Sequence, residues 1–363
     1  MAYYLKSGTT FRVSSKESMD LHESLPVGNY TVKQDQFGNF FLETIESFEI
    51  KGKLYGNTKR DTQRILTTFQ SRSSSTGVML TGEKGSGKSL LAKNACFEAA
   101  KLGIPSIIIN TPFHGDEFNS FMQKIDQPCI VLFDEFEKVY DSDKQESLLT
   151  LLDGVFPSKK LFMLTCNDKW RVDVHMRNRP GRIFYMIDFK GVDAEFIREY
   201  CNDNLLDKSQ TEPLVQIAGT FDQFNFDMLK AAVEEMNRYN ESPQEALSWL
   251  NARPEYAGSS TFTVKLFVEG KEIEPKLLEN QKWEGNPLTR SFGVDYKVPD
   301  ESSLIEGDGN DFDYNWENQR FAPEDLKKIE GDGTRYIFSN EDGAKVVLSK
   351  VKTRTYSYLD ALS

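Results

Sequence analysis

One stretch of eight residues limits what this chain can fold into more than any other: Gly82-Glu83-Lys84-Gly85-Ser86-Gly87-Lys88-Ser89. It follows a short apolar run, VMLT, and opens a run of helical character, SLLAKN. The pattern G-x-x-x-x-G-K-S in that setting requires a strand, a tight glycine loop and a helix in direct succession. Glycines let successive backbone N–H groups curl around an anion, and the helix N-terminus adds its dipole. Lys88 is then placed to reach the β- and γ-phosphates of a nucleotide, and Ser89 to ligate Mg²⁺. A nucleotide-binding α/β domain is predicted.

The surroundings agree. From 78 to 190, strand-length apolar runs alternate with helix-length amphipathic ones. Residues 78–82, 105–110, 129–135, 161–167 and 183–189 read as strands, and 89–103, 116–125 and 145–155 as helices. That alternation predicts a parallel sheet covered on both faces. Residues 56–72 place Ile65, Leu66 and Phe69 at helical spacing. Residues 192–251 read as helical throughout, with Asp193 and Ser242 as N-caps and Gly219 as a stop. On either side the pattern alternates at period two, in YTVKQ and FFLETI around the turn QFGN, and in TFTVKLFVEG, TRYIFSN and AKVVLSKVKTRTYSYL after Pro254. The expected organisation is a β-rich N-terminal segment (1–50), a large nucleotide-binding subdomain (51–190), a helical subdomain (191–255) and a β-rich C-terminal accessory domain (256–363).

Charge narrows the partners. Lys and Arg total 44 against 56 Asp and Glu, a net −12 over 363 residues. Nucleic acid and anionic membranes both require clustered positive charge, so neither is an expected partner. Cys96, Cys129, Cys166 and Cys201 stand far apart with no C-x-x-C, and the three histidines share no ligand spacing. This excludes a zinc ribbon or disulfide scaffold and fits a reducing compartment. No run has the make-up of a leader or a membrane span, so a soluble cytoplasmic chain is expected. The acidic stretch from Asp300 to Glu317 lacks the glycine and closing glutamate of an EF-hand at their offsets and reads as a solvated loop.

Three further features bear on chemistry. Asp134 and Glu135 end an apolar strand, the end from which ligand groups project in a doubly wound sheet. Asp134 can hold the hydration shell of Mg²⁺, while Glu135 can orient and polarise an attacking water. Asn167 ends the strand LFMLTCN; its amide either bonds that water or the γ-phosphate, or simply closes a strand at a turn. The cluster Arg177-Asn178-Arg179-Pro180-Gly181-Arg182 can present arginines to transferring phosphoryl charge, in cis or in trans, or can be a solvated basic turn.

Taken together, residues 51–250 resemble the AAA+ ATPases of the classical AAA branch. By that resemblance Gly82 to Ser89, continuing into Leu90, is Walker A, and Asp134-Glu135 is Walker B. Asn167 corresponds to sensor one, and Arg179 and Arg182 to the arginine fingers of the R-P-G-R corner, which act on the neighbour's nucleotide. Tyr55 and Gly56, with Leu54, match the segment whose backbone lies against adenine, and the helices of 192–251 match the lid. Within the branch the likeness is closest to the mitochondrial chaperone that translocates the folded Rieske iron–sulfur protein and to its soluble bacterial and phage-borne relatives. That narrower likeness rests on LLDGV (151–155) and on a brief connection from SIIIN to CIVLF. In that connection, Phe113 and His114 either line a pore or pack on the sheet and cap the next helix.

The resemblance implies a P-loop NTPase sheet with a helical lid, flanked by small β-rich domains. It also implies ATP and Mg²⁺ as cofactors, ATP hydrolysis to ADP and phosphate, and a homo-oligomer, a hexameric ring, with nucleotide bound between protomers. The leading expectation is a chaperone-like machine that remodels or disassembles a protein client. The alternative is an ATP-gated assembly scaffold with negligible turnover.

Overall fold

The segment Thr76–Gly82 holds six consecutive buried residues, so it has no face to give to water and must lie inside a sheet covered on both sides. In the computed structural model it is the strand next to one edge of a seven-stranded sheet. The structure describes residues 2–7, 9–15, 20, 22–50, 52–153, 158–177, 179–221, 224–251, 260–299 and 314–351. The acidic residues 300–313, the end of LLDGV, Asn178 and the last part of the tail therefore lie outside the described residues. The chain divides into two units, residues 1–191 and 192–363.

The first unit runs β1 (Ala2–Ser7), β2 (Thr10–Ser15), β3 (Asn29–Gln34), β4 (Phe40–Ile45), α1 (Thr58–Ser71), β5 (Thr76–Gly82), α2 (Lys88–Lys101), β6 (Ser106–Ile109), α3 (Asp116–Gln123), β7 (Cys129–Phe133), α4 (Phe136–Val139), α5 (Ser142–Leu152), β8 (Lys160–Cys166), α6 (Val174–Arg177) and β9 (Tyr185–Phe189). Its main sheet has the order β4-β3-β6-β7-β8-β5-β9, parallel except for the β3–β4 hairpin. Alternation along β5 feeds two cores. Met79 packs with Phe118, Met122, Leu148 and Leu151 on one face. On the other, Val78 and Leu80 meet Ile65, Leu66 and Phe69 of α1 and Leu91, Ala95 and Ala99 of α2. The N-terminal hairpin β3–β4 joins this sheet through Tyr30↔Ile107, a long-range pairing that no local pattern announces. The isolated pair β1–β2 stands apart from it.

One buried cation ties the sheet to its connections. Lys160, at the start of β8, is fully buried, and its ammonium donates to the carbonyls of Ile125 (2.6 Å) and Gln127 (2.7 Å) and to Ser158 Oγ (2.8 Å). Burial pushes its pKa down. Replacing it with Met keeps the stem but leaves these acceptors unpaired, so Lys160→Met is expected to cost about 3 kcal/mol. Chemical denaturation should register a lower midpoint at unchanged m.

The second unit begins with α7 (Ala194–Asn204), α8 (Thr211–Ala218), α9 (Phe226–Tyr239) and α10 (Pro243–Trp249). Asp193, Asn225 and Ser242 cap α7, α9 and α10 with their side chains, and Ser242 forms a capping box with Glu245. Strands β10 (Ser260–Val268), β11 (Lys271–Glu272), β12 (Lys282–Gly285), β13 (Phe292–Pro299), β14 (Tyr314–Phe321), β15 (Leu326–Glu330), β16 (Arg335–Ser339) and β17 (Lys345–Lys350) follow. They form a sheet β11-β10-β17-β16-β15, with β12 also on β10, and a ribbon β13–β14. Phe262, Leu266, Phe292, Phe321, Phe338 and Leu348 share its core. The helices and the β-rich part are locked to each other: a Cβ at Gly219 would lie 1.9 Å from the Asp332 carbonyl oxygen. Arg198 adds a bridge to Glu212 (2.7 Å) and Asp332 (2.8 Å). Among the described residues no helix is long and apolar enough to cross a membrane. All four cysteines are buried and unpaired, the behaviour of small apolar fillers.

Candidate nucleotide-binding and active site

The strand order decides which residues meet. β8 lies between β5 and β7, so the ends of three neighbouring strands deliver the glycine loop, Thr165 to Asn167, and Asp134-Glu135 to one edge of the sheet. The loop has the backbone its glycines predict, with φ of +137° at Gly82, +74° at Gly85 and +100° at Gly87. Gly82 also has no room for a side chain, since a Cβ there would lie 2.3 Å from the Phe189 carbonyl oxygen. Gly87 directly precedes α2, leaving the first helical N–H groups free for an anion.

Lys88 is almost wholly buried. Its ammonium donates to the carbonyls of Gly82 (2.6 Å) and Glu83 (2.7 Å) and to Asn167 Oδ1 (3.1 Å). Desolvation lowers its pKa against the opposing pull of Cys166, Glu137, Asp134 and Glu135. Ser86 Oγ is buried with no hydrogen-bond partner among the described residues. A phosphate group would supply what both lack, an anion for the ammonium and an acceptor for the hydroxyl. The residues present therefore fit a nucleotide.

Ser89 Oγ lies 3.5 Å from Asp134 Oδ1, so the hydroxyl and carboxylate that a hydrated Mg²⁺ requires face one another. Thr165, which no motif marked, organises this pair from β8. Its hydroxyl donates to Asp134 Oδ1 (2.6 Å) and accepts from the Glu135 backbone N–H (2.9 Å). Glu135 itself has φ +49°, an uncommon left-handed conformation for a residue with a side chain. Its carboxylate is half-exposed and paired with Lys138, and that hydrogen bond lowers its pKa. Asn167 donates from both its backbone N–H (3.0 Å) and its Nδ2 (2.9 Å) to Glu137 Oε1. Sequence reasoning missed Glu137 as well. Its spacing after Asp134 is legible only once α4 turns it back under β8.

The arginines do not join this cluster. Arg182 precedes β9, and β9 runs parallel to β5 with Val78 opposite Tyr185 and Gly82 opposite Phe189. Arg182 therefore lies beside Gly77, where a Cβ would be 1.8 Å from its carbonyl oxygen. Five residues of strand separate Gly77 from Gly82, about 17 Å at roughly 3.3 Å each, beyond the reach of an arginine side chain. The two arginines also differ from one another. Arg182 is 9% exposed and forks onto both carboxylate oxygens of Asp153, with Nη1 on the His175 carbonyl (2.8 Å). Arg179 is 64% exposed and touches Asp153 only at 3.7 Å.

Tyr55 and Gly56 stand just ahead of α1, with the Lys53 ammonium 5.0 Å from the Tyr55 ring centroid and Gly56 at φ +61°. Phe113 packs edge-on against Phe40 at 5.1 Å and joins the core, so of the two readings open for it packing on the sheet is the one observed. His114 stays exposed, with its ring nitrogen on the Pro112 carbonyl.

No curated protein matches the chain in sequence. A solved structure similar to it is a point variant of RuvB from Thermotoga maritima, at 12% identity and a TM-score of 0.40, covering 55% of this chain and 72% of that one. Residues 78–190, the stretch that holds the glycine loop, Asp134-Glu135, Asn167 and both arginines, match the ATPase family associated with various cellular activities (AAA).

Proposed function

We propose that this protein hydrolyses ATP at sites shared between copies of itself. The observation that carries the reading is the separation within the stretch that matches the AAA family. Lys88, Ser89, Asp134, Glu135 and Asn167 gather at the C-terminal edge of the sheet, while the exposed Arg179 belongs to the opposite edge. An arginine there can complete a site only on a neighbour.

The loop N–H groups and the start of α2 would hold the phosphates, with Lys88 released from the carbonyls of Gly82 and Glu83 to pair with them. Ser89 and Asp134 would hold Mg²⁺, which supplies charge neutralisation on the phosphates. Glu135 would accept the proton of the attacking water and orient it, and Arg179 from the adjoining copy would stabilise the charge on the transferred group. Tyr55 and Gly56 would contact adenine with their backbone. The work done is remodelling or disassembly of a protein client by a cytoplasmic ring, hexameric as the branch implies. The narrower likeness to the Rieske-translocating chaperone belongs to this reading without its membrane role.

A second reading, an ATP-gated scaffold with negligible turnover, is favoured by one observation: the Glu135 carboxylate is engaged by Lys138. Measuring ATP turnover per protomer against protein concentration, with mass on the same samples, tests the proposal. Specific activity is expected to climb as assemblies form, and Lys88→Ala is expected to abolish both tight ATP binding and turnover. A rate independent of concentration would sink the shared site. Tight binding and assembly without turnover would favour the scaffold.

A further inference from the structure

Glu137 is 4% exposed, just beyond Asp134-Glu135, on the short helix α4. Its Oε1 receives both the backbone N–H and the side-chain Nδ2 of Asn167, while its Oε2 is buried without a partner among the described residues. At the far end of the same amide, Asn167 Oδ1 receives the Lys88 ammonium. An amide group has one accepting and one donating end, and an ammonium can only donate. The two neighbours therefore demand the same orientation: nitrogen toward Glu137, oxygen toward the phosphate loop.

We infer that Glu137 is a positioning residue that holds Asn167 with its amide oxygen facing the nucleotide. The inference rests on the ATPase reading above and deepens it. When Lys88 moves to a phosphate, Asn167 Oδ1 loses its donor and becomes an acceptor facing the phosphate loop, free to take a hydrogen from the attacking water. Without Glu137 the amide can turn over and offer N–H to that position instead. Because Glu137 is buried behind Asn167, it acts through that side chain and touches neither water nor nucleotide. Its unpartnered Oε2 is a buried polar cost that pure packing would remove with Leu or Met. A positioning role for the carboxylate explains why it stays.

The test is a cycle of Glu137→Gln, Asn167→Asp and the double variant, assayed for kcat, for KM with MgATP and for MgATP dissociation constant. Glu137→Gln is expected to lower kcat about tenfold with KM within about twofold, the usual size for loss of a partner that orients a reacting group. Asn167→Asp sets two accepting carboxylates against each other and is expected to lose more. In the double variant the amide introduced at position 137 can donate to the carboxylate introduced at position 167. The other oxygen of that carboxylate again faces the loop, so activity should recover about tenfold over Asn167→Asp. Unchanged kcat in Glu137→Gln, or independent effects in the cycle, would overturn the inference. If Glu137→Gln does not fold, Glu137→Asp, which keeps the buried charge but draws it back from Asn167, decides instead: a lower kcat with KM within about twofold is expected, and an unchanged kcat contradicts the role. Absence of turnover in the wild type would reject the ATPase reading alone. The same cycle read by MgATP affinity then carries the inference, with coupling above about threefold expected and its absence refuting it.

Discussion

Arg179→Ala is expected to lower ATP turnover about 10³-fold while leaving ATP binding and the melting curve unchanged, the magnitude associated with a trans arginine at a phosphoryl-transfer site. Its side chain is mostly exposed and, among the described residues, makes a loose contact with Asp153, so little folded structure depends on it. Arg182→Ala should behave differently despite its place in the same R-P-G-R corner. Arg182 is buried, forks onto Asp153 and holds the His175 carbonyl. Its removal is expected to cost about 2 kcal/mol, discounted because Asp153 is partly solvated. Asp153→Ala should reproduce that loss of stability. Thermal melts beside turnover at low temperature separate the two: the Arg179 defect persists in the cold, whereas a good part of the Arg182 defect is recovered there. Equal stability loss in both variants would remove the division of roles.

Glu135→Gln is expected to lower turnover by about 10²–10³-fold with ATP affinity retained, since a positioned base contributes on that scale. The carboxylate is held ionised by Lys138 and its backbone is fixed by Thr165 and the left-handed conformation at Glu135. Gln keeps the shape and hydrogen-bonding reach of the side chain but cannot take a proton. Client remodelling that stops in this variant marks a machine driven by hydrolysis. Remodelling that continues at the wild-type rate, with ATP still bound, marks the scaffold.

Much of the candidate site was legible because its parts are local. The glycine loop, Lys88 and Ser89 lie within eight residues, and Asp134-Glu135 advertise themselves at the end of an apolar strand. Thr165, Glu137 and Asp153 were not legible, and the reason is topological. Each acts on a residue 29 to 31 positions away, brought near by β8 entering between β5 and β7 or by the corner before β9. A threonine inside an apolar strand or a second glutamate after Asp-Glu carries no local mark of that duty. Lys160 was hidden in the same way, since its three oxygens come from the connections flanking β7 and β8. The parallel sheet followed from alternation alone, but the joining of β3 to β6 is a choice of partner between distant strands, which periodicity does not encode. The sequence also presented Arg179 and Arg182 as equivalents; burial and the Asp153 fork separate them.

The central claim, that each site is completed by a neighbouring copy, is tested most directly by mixing two inactive variants. Lys88→Ala lacks the loop cation but keeps Arg179, and Arg179→Ala lacks the arginine but keeps the loop. In randomly mixed rings about a quarter of the interfaces would combine an intact loop with an intact arginine, as a head-to-tail contact allows. Turnover in the mixture is predicted to rise toward that fraction of wild type. A mixture no more active than its two components measured separately would contradict the shared site.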